Sequence, residues 1–389
     1  MPDIYISRQP LVNRQSRIIA TRLTLHLPDG ASTRDAAKTL AALGEFWPQS
    51  EKLIFINCGA TPCDSGLLEW VAPSNATFEI AAASFAEPEA AAFIAALNAS
   101  PASLCLSYDA QADVALAAGV RFRFIGFNAQ RHTPAQLLGL ATRASGIAVA
   151  TQVYDAKSFQ NCLDAGVNAA ATWYFKHPTS PRAKALSPGQ AQIVRVLNLV
   201  RKNADIKDIE TALKHDVALS YKLLRYINSA GFGLSCEIQS FRHAVSILGY
   251  DKLNKWLSLV LATASRDPMA PALMHTALTR AHLMEVLAHG LVDRHEYDNL
   301  FITGAFSLLD VLLGINMEQV VESMNLPESI SDALLGKGGV YGPFLDLAIA
   351  SEGEDGKVLA EQAAMLGLSA DEFNRAQMQA LSFAETMDL

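Results

Sequence analysis

Along the first 180 residues, short apolar runs alternate with Ala- and Leu-rich stretches of helical spacing. The stretch IIATRLTLHL, residues 18–27, shows the strand pattern most clearly. Leu23, Leu25 and Leu27 alternate with Thr24 and His26, the period of two expected of a strand packed on one face. Arg22 falls on the side of Thr24 and His26, so that side is either wet or built for a different chemistry. Further strands are predicted at DIYISRQPLV, KLIFINCG, TFEIAAA, SLCLSYD, FRFIGFN, GIAVATQV and AAATWYF, with helices at STRDAAKTLAALGEFW and PEAAAFIAALNAS. Strand–helix alternation implies a parallel sheet. About eight strands in this length suit a closed β/α barrel of the TIM type.

After KHPTSPRAKALSP, residues 176–188, whose three prolines mark a linker, the pattern becomes helical. Asp216 is placed to cap a helix through LSYKLLRYINSA, Ser240 to cap FRHAVSIL and Asp251 to cap KLNKWLSLVLATA. Further helices are predicted through ALTRAHLMEVLAHGLVD, FITGAFSLLDVLLG, MEQVVESM, ISDALLG and SADEFNRAQMQALSFAETM. The fold class is therefore α/β plus all-α: an N-terminal β/α barrel followed by a helical domain.

Composition narrows the class. Half of the 389 residues are hydrophobic and 18% are charged, enough to bury real cores. No apolar run reaches the roughly 20 residues that span a bilayer, and MPDIYISRQP lacks the apolar core of a signal peptide. Cys58, Cys63, Cys105, Cys162 and Cys236 are scattered without a CxxC pair, which supports neither a disulfide frame nor a zinc site. The expectation is a cytoplasmic protein without membrane contact. Charge is uneven: residues 1–181 carry a net −1, 182–265 a net +6 and 266–389 a net −13. The basic middle could meet phosphates. The acidic total of −8 weighs against a nucleic-acid partner, and the basic groups read as a counterweight to the acidic tail.

Pattern alone nominates no catalytic constellation. His275, His282 and His289 recur every seven residues, and two helical turns separate neighbours by about 10.5 Å, too far for one metal ion. They read as a polar or half-buried face. GKGGVYG, residues 336–342, does not match a phosphate loop. GxSxG and HExxH are absent.

Two family resemblances carry the reading further. The stretch LKHDVALSYKLLRYINSAGFGLSCEIQSFRHAVSILGYDKLNKWLSLVLA, residues 213–262, resembles the start of an HDOD domain through its D-xx-LS-KLL and NS-x-FG run, its A-xx-LG run and the following K-L-xx-W helix. The N-terminal half resembles an EAL domain, the barrel of cyclic-di-GMP phosphodiesterases, through SRQPLVNRQSRII, LIFIN, TFEI and WYFKHP. The stretch 304–348 is similar to the C-terminal part of tandem EAL–HDOD signalling proteins. The resemblance divides the chain into an EAL-like barrel over 1–178 and an HDOD helical domain over 179–389, with its core at 186–310 and a helical extension.

EAL catalysis, as the resemblance implies, uses carboxylates and an Asn at strand ends to hold divalent metals that activate water. Carried onto this chain, the Glu of the E-A-L signature falls on Arg22, while the metal-binding Asn is kept as Asn57. One Glu of the E-I-T-E-like motif is kept as Glu79, and its second position is Ala82. The paired aspartates of D-D-F-G fall on Ser107 and Tyr108. The Lys and Asp of K-I-D fall on Gly126 and Asn128, and the glutamates of A-E-x-V-E near Thr151 and Tyr154. The Gln-Gly pair falls on Ala171 and Thr172. In the second half, the His-Asp doublet of HD phosphohydrolases falls on Ser307 and Leu308, with Asp310 nearby.

A unit charge pair at 4 Å is worth about 4 kcal/mol at an effective dielectric near 20, so a divalent ion facing Arg in place of Glu loses roughly 8 kcal/mol and meets a similar repulsion. The sequence reading is therefore a degenerate barrel that is not an enzyme, with no metal site and no cofactor. Asn57 and Glu79 become residues hydrogen-bonded inside the barrel mouth. The expected role is a signalling adaptor whose partners are regulatory proteins. The alternative is a receptor for cyclic-di-GMP or another nucleotide, with Arg22, Arg121 or Arg123 available to phosphate.

Overall fold

In a computed structural model of the chain, the residues described are chiefly 2–85, 90–109, 112–133, 146–177, 188–214 and 268–386 apart from 325. Most of the HDOD-like stretch 213–262, including the helices expected after Asp216, Ser240 and Asp251, lies outside them, as does Cys236. The chain forms two compact units: residues 1–175 with 349–378, and residues 176–348 with 379–389. Among the described residues no helix is long and apolar enough to cross a membrane.

The first unit is a closed barrel of eight strands in sequence order. They are β1 Tyr5–Asn13, β2 Ile18–His26, β3 Leu53–Asn57, β4 Ala76–Ala81, β5 Ser103–Ser107, β6 Phe124–Asn128, β7 Ile147–Val153 and β8 Ala169–Thr172. Each matches an apolar run predicted from alternation. β1 is antiparallel to both of its neighbours, β2 and β8, and every other pairing is parallel. The seven parallel strands therefore end together at one rim, and β1 begins there. The alternation sorts side chains as expected: Leu23 and Leu25 are fully buried, whereas Arg22, across from Gln9 and Phe55 in register, belongs to the set lining the interior. Deeper inside, Leu11, Ala20, Phe55, Cys105, Phe124, Val149, Ala169 and Ala171 pack as an apolar floor, so the barrel is filled rather than hollow.

Local signals fix the helices around it. Helix Thr33–Ala42 opens on a capping box in which Ser32 and Asp35 satisfy each other's backbone N–H. Helix Ala156–Asp164 opens on Asp155, whose carboxylate accepts from the Ser158 N–H.

The segment 349–378 completes this unit. From helix Ala370–Thr386, Asn374 accepts from the Ile6 N–H at 3.0 Å and donates to the Ile4 carbonyl at 2.8 Å, and Gln377 donates to the Ile6 carbonyl at 2.7 Å. The Arg8 N–H donates to the Ser351 carbonyl at 2.8 Å. The Arg8 guanidinium meets Glu352 at 2.9 Å, with the two side chains 3% and 0% exposed. β1 is thus served by side chains more than 340 positions downstream.

The second unit is helical. Helices Ala270–Leu287 and Tyr297–Phe306 approach so closely at Gly304 that a Cβ there would stand 2.6 Å from the Ala281 backbone. Helix Leu309–Leu313 closes on Gly314 in the left-handed conformation.

Candidate functional site at the mouth of the barrel

In β/α barrels the chemistry sits where the parallel strands end, because the loops leaving those ends are free to vary over a rigid floor. Here that rim is lined by Thr24 and His26 on β2, Asn57 on β3, Ser107 on β5, Asn128 on β6 and Thr151 on β7, with Arg22 and Glu79 one layer below.

Arg22 and Glu79 form the centre. The guanidinium grips the carboxylate with two parallel hydrogen bonds, Nε to Oε1 at 2.7 Å and Nη2 to Oε2 at 2.9 Å, the fork geometry for which arginine is suited. The side chains are 18% and 8% exposed. Burial by itself would weaken the guanidinium's hold on its proton. The Glu79 charge and hydrogen bond outweigh that, with Glu354 adding to them, so the net shift of Arg22 is upward and it stays charged. Among the described residues Arg22 donates to no group other than Glu79. Beneath the pair, burial first and then Glu79 push the Cys105 thiol well above its ordinary value, so it is no thiolate nucleophile.

Asn57 is committed to the local backbone. Its Nδ2 donates to the Leu23 carbonyl and to Thr24 Oγ1, both at 3.0 Å, and its Oδ1 accepts from the Gly59 N–H at 2.9 Å. With Glu79 held at both oxygens and Asn57 Oδ1 engaged, this donor set as arranged does not fit a divalent cation, which needs several unclaimed oxygens.

The remaining sequence-derived positions divide into those at the rim and those elsewhere. Ser107 ends β5 opposite Gly126. Tyr108 follows, its N–H on the Gly126 carbonyl and its ring against Phe127 and His132. Asn128 Oδ1 caps its own loop by accepting from the Gln130 N–H at 2.9 Å. Thr151 donates to the Phe127 carbonyl, and Thr172 to the Val153 carbonyl. Tyr154 is exposed and Ala82 fully buried. Ala171 belongs to the apolar floor, facing Leu11. Arg123 stands before β6, over the Phe124 ring and near Ser103 at the opposite end of the strands, and Arg121 precedes it. Arg22 is therefore not gathered with Arg121 or Arg123 into one phosphate site.

In the second unit Ser307 Oγ accepts from Arg280 Nη1 at 2.9 Å and donates to the Gly304 carbonyl at 2.7 Å, while Leu308 is buried. Of the seven-residue histidines, His282 stacks on Phe383 and pairs with Glu285, while His289 lies past the end of the helix Ala270–Leu287 and against Tyr297.

One contributor was not foreseen from sequence. The turn 351–355 reaches the rim from the far end of the chain. Gln152, at the end of β7, donates from Nε2 to Glu354 Oε1 at 3.2 Å. Gln152 itself sits at φ 58° in an irregular stretch of the β7–β8 pairing. His26, at the end of β2, shares a 2.8 Å hydrogen bond between its Nε2 and Ser7 Oγ and packs against Gly356. Burial lowers the His26 pKa, with the Asp355 charge opposing.

Residues 187–313 match the HDOD domain family. The cyclic di-GMP phosphodiesterase CdgJ of Vibrio cholerae is 27% identical over 241 residues, covering 62% of this chain and 56% of that protein. The uncharacterized protein YuxH of Bacillus subtilis is 27% identical over 205 residues, covering 52% of this chain and 50% of that one. The chain thus spans about half the length of the curated relatives it matches. Among solved structures, the EAL domain of Mycobacterium smegmatis DcpA is 11% identical, with 43% of this chain and 90% of that chain covered and a TM-score of 0.34.

The expectation that this chain is not an enzyme is corrected here, because a relative sharing 241 aligned residues is named a phosphodiesterase. The electrostatic argument behind that expectation treated Arg22 as an unpaired cation. Glu79 at 2.7 Å cancels most of its charge, so the repulsion assigned to it was too large. Residues 187–313 thus match the HDOD domain family and follow, in sequence, an N-terminal closed barrel of eight strands.

Proposed function

We propose that this chain is a bacterial signal-transduction protein of a cyclic-di-GMP network, its barrel mouth receiving the nucleotide and its helical half engaging regulatory proteins. The observation that carries the nucleotide part is Arg22, a charged guanidinium inside the strand-end rim with donor capacity beyond its two bonds to Glu79. Planar guanidinium matches phosphodiester oxygens, and the hydroxyl and amide groups of Thr24, Asn57, Ser107 and Asn128 line the same rim from β2, β3, β5 and β6. The name of the Vibrio cholerae relative supports the choice of nucleotide. The HDOD match supports a signalling setting.

The test is calorimetric titration of the full chain with cyclic-di-GMP, with and without magnesium, followed by chromatography of the recovered nucleotide. Saturable binding that weakens at least tenfold in Arg22→Met is expected. No heat of binding under either condition overturns the nucleotide reading. Linear dinucleotide among the products assigns phosphodiesterase chemistry, and intact recovery assigns a receptor. For the adaptor part, failure of the full chain to retain any regulatory protein on cross-linking in bacterial cells removes it.

A further inference from the structure

The turn that crosses the barrel rim is acidic: residues 351–356 read SEGEDG. It is tied down at three strands. At β1, Ser351 and Glu352 are buried and bound to the backbone and side chain of Arg8. At β7, Gln152 holds the Glu354 carboxylate. At β2, Gly356 lies so close to His26 that any added Cβ would collide with that side chain. Between these anchors Gly353, Glu354 and Asp355 are exposed, and the Glu354 carboxylate is near enough to Arg22 to strengthen that guanidinium's hold on its proton. Gln152 reaches Glu354 from a left-handed backbone position that a non-glycine side chain adopts only at a cost of order 1–3 kcal/mol. The rest of the fold therefore maintains that contact against strain.

We propose that residues 351–356 are a built-in acidic strap that competes with an anionic phosphodiester for the mouth of the barrel, so that ligand access requires displacement of Glu354 from Gln152. This rests on the nucleotide reading above. The Glu354 carboxylate and an anionic ligand drawn to Arg22 carry like charge and repel each other. The anchors differ in depth. The Arg8–Glu352 pair is buried, while the Glu354–Gln152 contact is exposed. The strap therefore opens at its middle without leaving its root.

The test is cyclic-di-GMP titration of the full chain carrying Glu354→Gln or Gly356→Val. Removal of one exposed like charge is expected to tighten binding about fivefold. If the strap is closed nine-tenths of the time, prising it off His26 with valine tightens binding about tenfold. Glu361→Gln, which removes a charge from the exposed side of the following helix, is expected to leave affinity unchanged. Equal affinities for the unmodified chain, Glu354→Gln and Gly356→Val overturn the strap. If no form binds the dinucleotide, the nucleotide reading fails by itself. The strap is then judged by hydrogen exchange at amides 351–356 on adding inorganic pyrophosphate. Acceleration that disappears in Arg22→Met supports it, and unchanged exchange overturns it.

Discussion

At the scale of single residues, the barrel interior turns on one ion pair. Arg22 and Glu79 are mutually dependent, since each is held in a mostly buried place only by the other. Glu79→Ala is expected to cost about 3 kcal/mol, the range for stranding one partner of a buried pair, and Arg22→Met with Glu79→Leu to recover most of it. Urea unfolding midpoints of the three proteins check this. His26 supplies a pH signature. Its folded pKa lies below the unfolded value, mainly through burial. The unfolded chain therefore binds the proton first, and stability present above about pH 6.5 is lost as pH falls from there toward the lower folded value. In His26→Gln the slope of melting temperature against pH just below 6.5 is expected to flatten. The position of Arg22 on an interior face was legible from the alternation of IIATRLTLHL. Its partner was not, because Glu79 lies 57 positions away and nothing local to either residue names the other.

At the scale of elements, alternation did most of the work. All eight strands lie where apolar runs of period two or continuous burial predicted them, since a strand packed in a barrel must present its side chains that way whatever its partners. Helix contacts are less visible. Gly304 looks like one more small residue in FITGAFSLLD, yet it is the point at which two helices nearly touch backbones. Gly304→Ala is expected to overpack that crossing and lower stability by about 2 kcal/mol, with Gly304→Val lowering it further. Thermal melting followed by circular dichroism reads both. The linker prolines marked the end of the barrel's strands, but composition offered no sign that residues 349–378 return to it. Asn374 and Gln377 are ordinary polar residues of an amphipathic helix until Ile4 and Ile6 are placed beside them.

At the scale of the whole molecule, the barrel unit is discontinuous in sequence. A chain cut after residue 348 leaves the Arg8 guanidinium without Glu352 and removes the side-chain partners of Ile4 and Ile6. Removing one partner of a buried ion pair costs about 3–5 kcal/mol. The fragment 1–348 is therefore expected to be degraded within its barrel by brief proteolysis that the full chain survives, with Glu352→Ala intermediate. The opposite result, equal resistance, would show that the barrel stands without its distant segment.

The same return of the chain sets an order of events during synthesis. β1 leaves the ribosome about 370 residues ahead of Asn374 and Gln377, which complete its hydrogen bonding. At about 5–20 residues per second the wait is roughly 20–70 s. For that interval the earliest strand of the barrel lacks Glu352 beside Arg8 and the side-chain partners of Ile4 and Ile6. The newborn chain must be held by water, by its own provisional contacts or by chaperones until residues 349–378 arrive.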